Sequence, residues 1–134
     1  MRKENGNSEP MKGTTVKNYI MAIYEASGEK EFIRTSDVAK ALKYRPPSVT
    51  ETFHKMAKEG VIVYIPYRGV KLTEKGKRIV DKTIARQSTL RSLLLCMGAP
   101  QDLAKIESKK LEQVISDRSI ECIRNFLKTQ GEER

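Results

Sequence analysis

Between residues 35 and 73 the chain switches from helical spacing to an extended, β-branched run, and that switch limits the folds open to it. TSDVAKALKY opens on Thr35 and Ser36, residue types that cap helices, and turns Val38, Ala39 and Leu42 to one side. A turn at Tyr44 and Arg45 leads into Pro46 and Pro47, which a helix tolerates only at its first positions. Val49, Phe53, Met56 and Ala57 then form an apolar stripe, and Gly60 is the expected stop. VIVYIPYRGVKLT follows and reads as a two-stranded hairpin with its tip near Pro66–Gly69. Pro66 suits a tip or an edge, not a central strand.

Helices flank this block. A capping Thr14 or Thr15 precedes Val16, Tyr19, Ile20, Ile23 and Tyr24 at helical spacing, up to Gly28. Thr73 caps a long helix with Glu74 in its first turn. Its inner face is expected to hold Ile79, Val80, Ile84, Leu90, Leu93, Leu94 and Met97, and Gly98–Pro100 break it. Leu103, Ile106, Leu111, Val114 and Ile115 mark a fifth helix; Ser116 caps a sixth with Ile120, Ile123, Phe126 and Leu127 inside. The fold class is therefore mainly α. Residues 1–13 read as a flexible tail, 14–76 as a winged helix-turn-helix domain, and 77–134 as a helical domain.

With 134 residues the chain suits one domain, or one compact module and an appendage. Its +9 net charge is uneven. Residues 1–33 carry 5 basic and 5 acidic side chains, residues 34–86 carry 13 and 5, and residues 87–134 carry 8 and 7. A +8 middle third points to a polyanionic partner, with double-stranded DNA ahead of a membrane surface. No basic amphipathic helix with bulky anchors supports membrane binding, and no uncharged apolar run suits a transmembrane helix. The opening MRKENGNSEPMKG has no apolar h-region, so no secretory signal is expected. Cys96 and Cys122 make neither a disulfide framework nor a zinc site, and are expected as small buried residues in a reduced cytoplasm.

Helix, short helix, turn, helix, hairpin is the order of a winged helix-turn-helix, whose second turn-pair helix enters the major groove N-terminus first. Arg45, Pro47, Ser48, Thr50, Glu51 and Thr52 lie at that end, and short side chains allow close approach to base edges. Glu51 can accept from a cytosine amine; His54, Lys55 and Lys58, further along, suit phosphates. At the wing, Tyr64, Tyr67, Arg68 and Lys71 mix aromatic and basic groups. A protein-interaction module is the competing reading, and the basic middle third argues against it. There is no glycine-rich phosphate loop and no nucleophile–base set, so an enzyme is not expected.

NYIMAIYEA, TSDVAKALKYRPPSVTETFHKMAKEGVIVYIPYRGVKLTEKGK and LEQVISDRSIECIRNFL together resemble the diphtheria-toxin-repressor and manganese-transport-regulator (DtxR/MntR) family. The resemblance covers roughly residues 15–128, and PPSVT and YRGVKLTEKG are its most specific pieces. It implies a cytoplasmic, homodimeric, metal-responsive transcriptional repressor of the short, two-domain type. The apolar LRSLLLCMG segment and fifth helix independently suit a dimer, which places two recognition helices about one DNA turn apart.

The resemblance implies Mn²⁺ or Fe²⁺, yet the positions where relatives keep ligands hold Asn18, Met21, Gln87, Lys109, Glu112 and Gln113. Arg91 stands at a further position where iron-type members place a carboxylate. Only Glu112 retains the family's chemistry, whereas such sites need several carboxylates and imidazoles. No metal is therefore expected at the standard position. Lys109, three residues before Glu112, either pairs with it and holds that geometry internally or points to solvent beside a pocket that has lost its ligands. A repressor that binds Mn²⁺ or Fe²⁺ through different ligands is the alternative.

Overall fold

Local chemistry accounts for where each element of the computed structural model begins and ends. The structure describes residues 13–132, so the tail expected over 1–13 lies outside it except for Gly13. Helix α1 (Gly13–Ser27) gives way to a turn at Gly28, and a short extended stretch follows. There Ile33 bridges Val70: each amide donates to the other's carbonyl, at 2.8 and 2.9 Å. That bridge holds the chain extended into Arg34, which becomes the N-cap of α2 (Thr35–Leu42) without a side-chain hydrogen bond. Thr35 and Ser36 thus fall inside the first turn and do not cap it, a correction to the sequence reading.

Lys43 closes α2 with a positive φ of 62°. Its amide donates to Lys40 O and that of Tyr44 to Ala39 O, which binds carbonyls the helix leaves unpaired. Only Lys43, Tyr44 and Arg45 separate α2 from α3 (Pro46–Lys58), whose first turn holds both prolines. Gly60, at φ 79°, turns the chain out of α3 into β1 (Ile62–Ile65), which pairs antiparallel with β2 (Gly69–Leu72) in a register joining Ile65 to Gly69. Glycine is required at 69: its φ is 121°, and a Cβ there would lie 2.2 Å from Ile33 O.

The chain divides into two compact units, Met1–Val80 and Asp81–Arg134. The first is built on Ile20, Ile23, Val38, Val49, Phe53, Met56, Val70 and Val80, all buried. Phe53 packs edge-on to Tyr19, ring centroids 6.2 Å apart, and lies 5.6 Å from Tyr64. Ala57 is exposed, because the narrow 49–53–56 stripe leaves it on the flank.

Helix α4 (Glu74–Cys96) starts on a cap: Thr73 Oγ1 accepts from the Gly76 amide at 3.1 Å and donates to Gly60 O at 2.6 Å. Helices α5 (Gln101–Glu112) and α6 (Asp117–Glu132) complete the second unit, and Ser116 Oγ caps α6 by accepting from the Ser119 amide. Its interior departs from the expected apolar faces. Leu90, Ala104 and Ile120 are buried, but so are Thr83, Arg86, Ser108 and Glu112. Ile84, Met97 and Phe126, read as inward, are exposed, and so are Leu103, Ile106, Leu111 and Val114 of α5, which the sequence marked as apolar surplus. Cys96 and Cys122 are exposed as well, not buried. A unit of three helices is too small to cover every apolar stripe it carries. Among the described residues no helix is long and apolar enough to cross a membrane.

Candidate nucleic-acid interface

The buried stripe of α3 fixes which of its side chains face outward. Ser48, Glu51, Thr52 and Lys55 recur at i, i+3, i+4 and i+7, so one outer stripe carries two hydroxyls, a carboxylate and an ammonium. Arg45, Pro47, Ser48, Glu51, His54 and Lys58 are exposed, and Thr50, Thr52 and Lys55 half-buried. Pro46 and Pro47 carry no amide hydrogen and the Ser48 and Val49 amides donate to Arg45 O at 3.0 and 3.2 Å, so the helix dipole alone adds a partial positive charge at the same end. His54 lies edge-on to Tyr64, centroids 5.2 Å apart, which ties α3 to the hairpin. Arg45, Lys55 and Lys58 have no carboxylate within salt-bridge distance among the described residues, and each stays available to an anion.

The hairpin presents a second basic edge. Its tip is Pro66, Tyr67 and Arg68; Tyr67 holds a φ of 70° and is fully exposed. A tyrosine in that left-handed region costs about 1 kcal/mol, which the closed turn, with Arg68 N–H donating to Ile65 O at 3.0 Å, offsets. The Arg68 guanidinium lies 4.3 Å from the Phe32 ring centroid and Lys71 Nζ 5.2 Å from it. Glu31 pairs with both, at 3.6 Å to Arg68 and 3.2 Å to Lys71. These contacts hold the wing cations on an aromatic face instead of leaving them to wander. Sequence reading missed Glu31 and Phe32: their partners lie about forty residues on, and no local pattern announces them.

In the second unit, of the two arrangements open to Lys109, the pair with Glu112 is not formed. Lys109 is exposed, and Glu112 is engaged by Arg86, whose Nε donates to Glu112 Oε2 at 3.1 Å. The guanidinium also donates to Glu112 O at 2.8 Å, to Ile115 O at 2.6 Å and to Asp117 Oδ1. A rigid planar fork reaches acceptors on α5, the following turn and α6 together, which an ammonium on α5 itself cannot. A signal existed. Along Val80, Thr83, Leu90 and Leu94 the inward spacing of α4 passes through Arg86, a charge on an otherwise uncharged stripe.

This donor set does not fit the metal that the resemblance implies. Gln87 is half-buried beside Arg86, Gln113 and Arg91 are exposed, and Glu112 already faces a fixed cation. In the first unit, Asn18 and Met21 lie half-buried on α1 and offer an amide and a thioether. Neither is a hard anionic ligand. Among the described residues no three His, Cys, Asp or Glu side chains gather where they could share an ion.

Asp117 also receives Lys82 Nζ at 3.1 Å. That hydrogen bond and the Lys82 charge, with Arg86 adding to them against some desolvation, hold the Asp117 carboxyl below its ordinary value of 3.8. A carboxyl lowered in the folded state contributes stability above its ordinary value and loses it as pH falls through the lowered one. The second unit is therefore expected to weaken as pH drops below 3.8, and Asp117→Asn to flatten that acid limb in a pH series of thermal melts. An unchanged acid limb in the variant would remove Asp117 from the account.

Comparison with known proteins places these features. Residues 11–70 match the family described as "Iron dependent repressor, N-terminal DNA binding domain", and residues 73–132 that described as "Iron dependent repressor, metal binding and dimerisation domain". The chain is 34% identical over 109 residues to the HTH-type transcriptional regulator MntR of Bacillus subtilis (strain 168), covering 81% of this chain and 77% of the relative. It is 30% identical over 118 residues to MntR of Lysinibacillus sphaericus (strain C3-41), covering 88% and 85%. Among solved structures, the hypothetical protein SSo2273 from Sulfolobus solfataricus superposes with a TM-score of 0.72 at 24% identity, over 85% of this chain and 88% of that one. A manganese-dependent transcriptional repressor in complex with manganese gives 0.70 at 24%, over 84% and 52%. At these identities the likeness to the solved structures is one of fold.

Proposed function

The chain belongs to the iron-dependent repressor family, whose members are transcriptional regulators and not enzymes, and on that footing we propose that it binds double-stranded DNA as a homodimer and represses transcription in the cytoplasm. The outward stripe of α3 carries this reading: Ser48, Glu51, Thr52 and Lys55 present short polar groups, with the basic residues toward the helix end. In it, Arg45, Pro47, Ser48, Thr50, Glu51 and Thr52 approach the base edges, while His54, Lys55, Tyr67, Arg68 and Lys71 meet backbone. Exposed Leu103, Ile106, Leu111 and Val114 give the second unit an apolar surface that suits a second copy. DNA binding in this reading does not wait on a metal at the family's usual position, since Asn18, Met21, Gln87, Lys109 and Gln113 supply no ligand set.

A gel shift on a pool of duplexes, with Mn²⁺, with Fe²⁺ and with chelator, tests DNA binding and metal gating together. Affinity should fall steeply with salt as phosphate contacts release counterions. Arg68→Ala and Lys71→Ala should each reduce the slope of log affinity against log salt by about 1, uniformly across sequences. A shallow slope untouched by either variant would favour a protein-interaction module.

A further inference from the structure

The second unit is organised around one buried guanidinium. The Arg86 side chain is 9% exposed and that of Glu112 1%. Four oxygens surround the guanidinium: one from the Glu112 carboxylate, the carbonyls of Glu112 and Ile115, and one from Asp117. The two carbonyls stand at and just beyond the end of α5, where a helix leaves such groups unpaired and its dipole is negative. Asp117 opens α6 and is shared with Lys82. A cation on α4 therefore gathers the end of α5 and the start of α6. Carboxylate and carbonyl oxygens are also what hard divalent cations take, but here a covalently attached cation has them.

We infer that Arg86 is the resident cation of this unit. It holds α4, α5 and α6 in their arrangement with no divalent ion, and it withdraws Glu112 from service as a ligand. The regulatory consequence, which rests on the DNA-binding reading, is a regulator whose operator affinity ignores Mn²⁺ and Fe²⁺ supply. Arg86 acts here as a positioning residue: it touches no DNA, and it sets the frame that carries the proposed dimer surface.

The test uses the full chain, melted thermally and titrated with duplex, in chelator and in excess Mn²⁺. Anything that binds the folded state alone raises the melting temperature, so the unaltered protein should melt at the same temperature in both media. Its duplex affinity should agree within about two-fold, well under the coupling usual for an allosteric effector. Arg86→Met takes from buried Glu112 the guanidinium that donates to it, while Asp117 keeps Lys82, and should lower the melting temperature by roughly 10 °C. Adding Glu112→Met should recover at least half of that loss, which a purely steric role for Arg86 would not allow.

A melting temperature several degrees higher in Mn²⁺, or an affinity about tenfold higher, overturns the inference. So does an Arg86→Met protein that melts like the parent, or a double variant less stable than the single one. If Arg86→Met does not fold, a folded double variant supports the inference and an unfolded one overturns it. Should the unaltered protein bind no duplex, the DNA reading falls while the melting comparison still decides the role of Arg86.

Discussion

Phe53→Ala is expected to cost the N-terminal unit about 3–5 kcal/mol and to lower its melting temperature by roughly 15 °C or more. Phe53 is fully buried, and its ring meets Tyr19 on α1 and Tyr64 on β1. Truncation deletes those contacts and leaves a cavity that three separate elements would have to move to close. Against a domain stability of about 5–15 kcal/mol, that is a large share. Because Phe53 and the outward stripe sit on one helix, duplex affinity should fall with the melt. Circular dichroism melting of the variant decides it: a loss below about 1 kcal/mol would mean that Phe53 is not the centre of this core.

Ser48→Asp should separate folding from DNA binding. Ser48 is exposed in the first turn of α3, where a carboxylate suits the helix dipole and contributes about 0.3–1 kcal/mol. The melting temperature should hold or rise. The same carboxylate would enter the negative field of the duplex groove, and like-charge repulsion should lower duplex affinity about 100-fold, or about 2.7 kcal/mol. Ser48→Ala, which adds no charge, should keep affinity within about tenfold of the parent. Parent-like binding by Ser48→Asp would show that this end of α3 does not face DNA.

Much of the first unit was legible because its signals are local. Prolines mark the start of α3, Gly60 ends it, Thr73 caps α4, and the 49–53–56 spacing names the buried side. The second unit read less well. Periodicity assigned Ile84, Met97 and Phe126 to an interior, and these residues are exposed. Spacing says which residues share a face; whether that face is covered depends on what packs against it.

The sequence by itself determined the element order, the hairpin tip and the basic middle third, since propensity, capping and charge are properties of short stretches. The tertiary structure alone decided which cation meets Glu112. Spacing along α5 nominated Lys109, yet Arg86 reaches Glu112 from twenty-six residues away, along with carbonyls that a sequence does not display as acceptors. It likewise decided that Glu31 and Phe32 hold the wing cations, across some forty residues of chain. A buried charge takes partners according to where backbone oxygens and carboxylates converge in space, and that convergence exists only once the helices have packed.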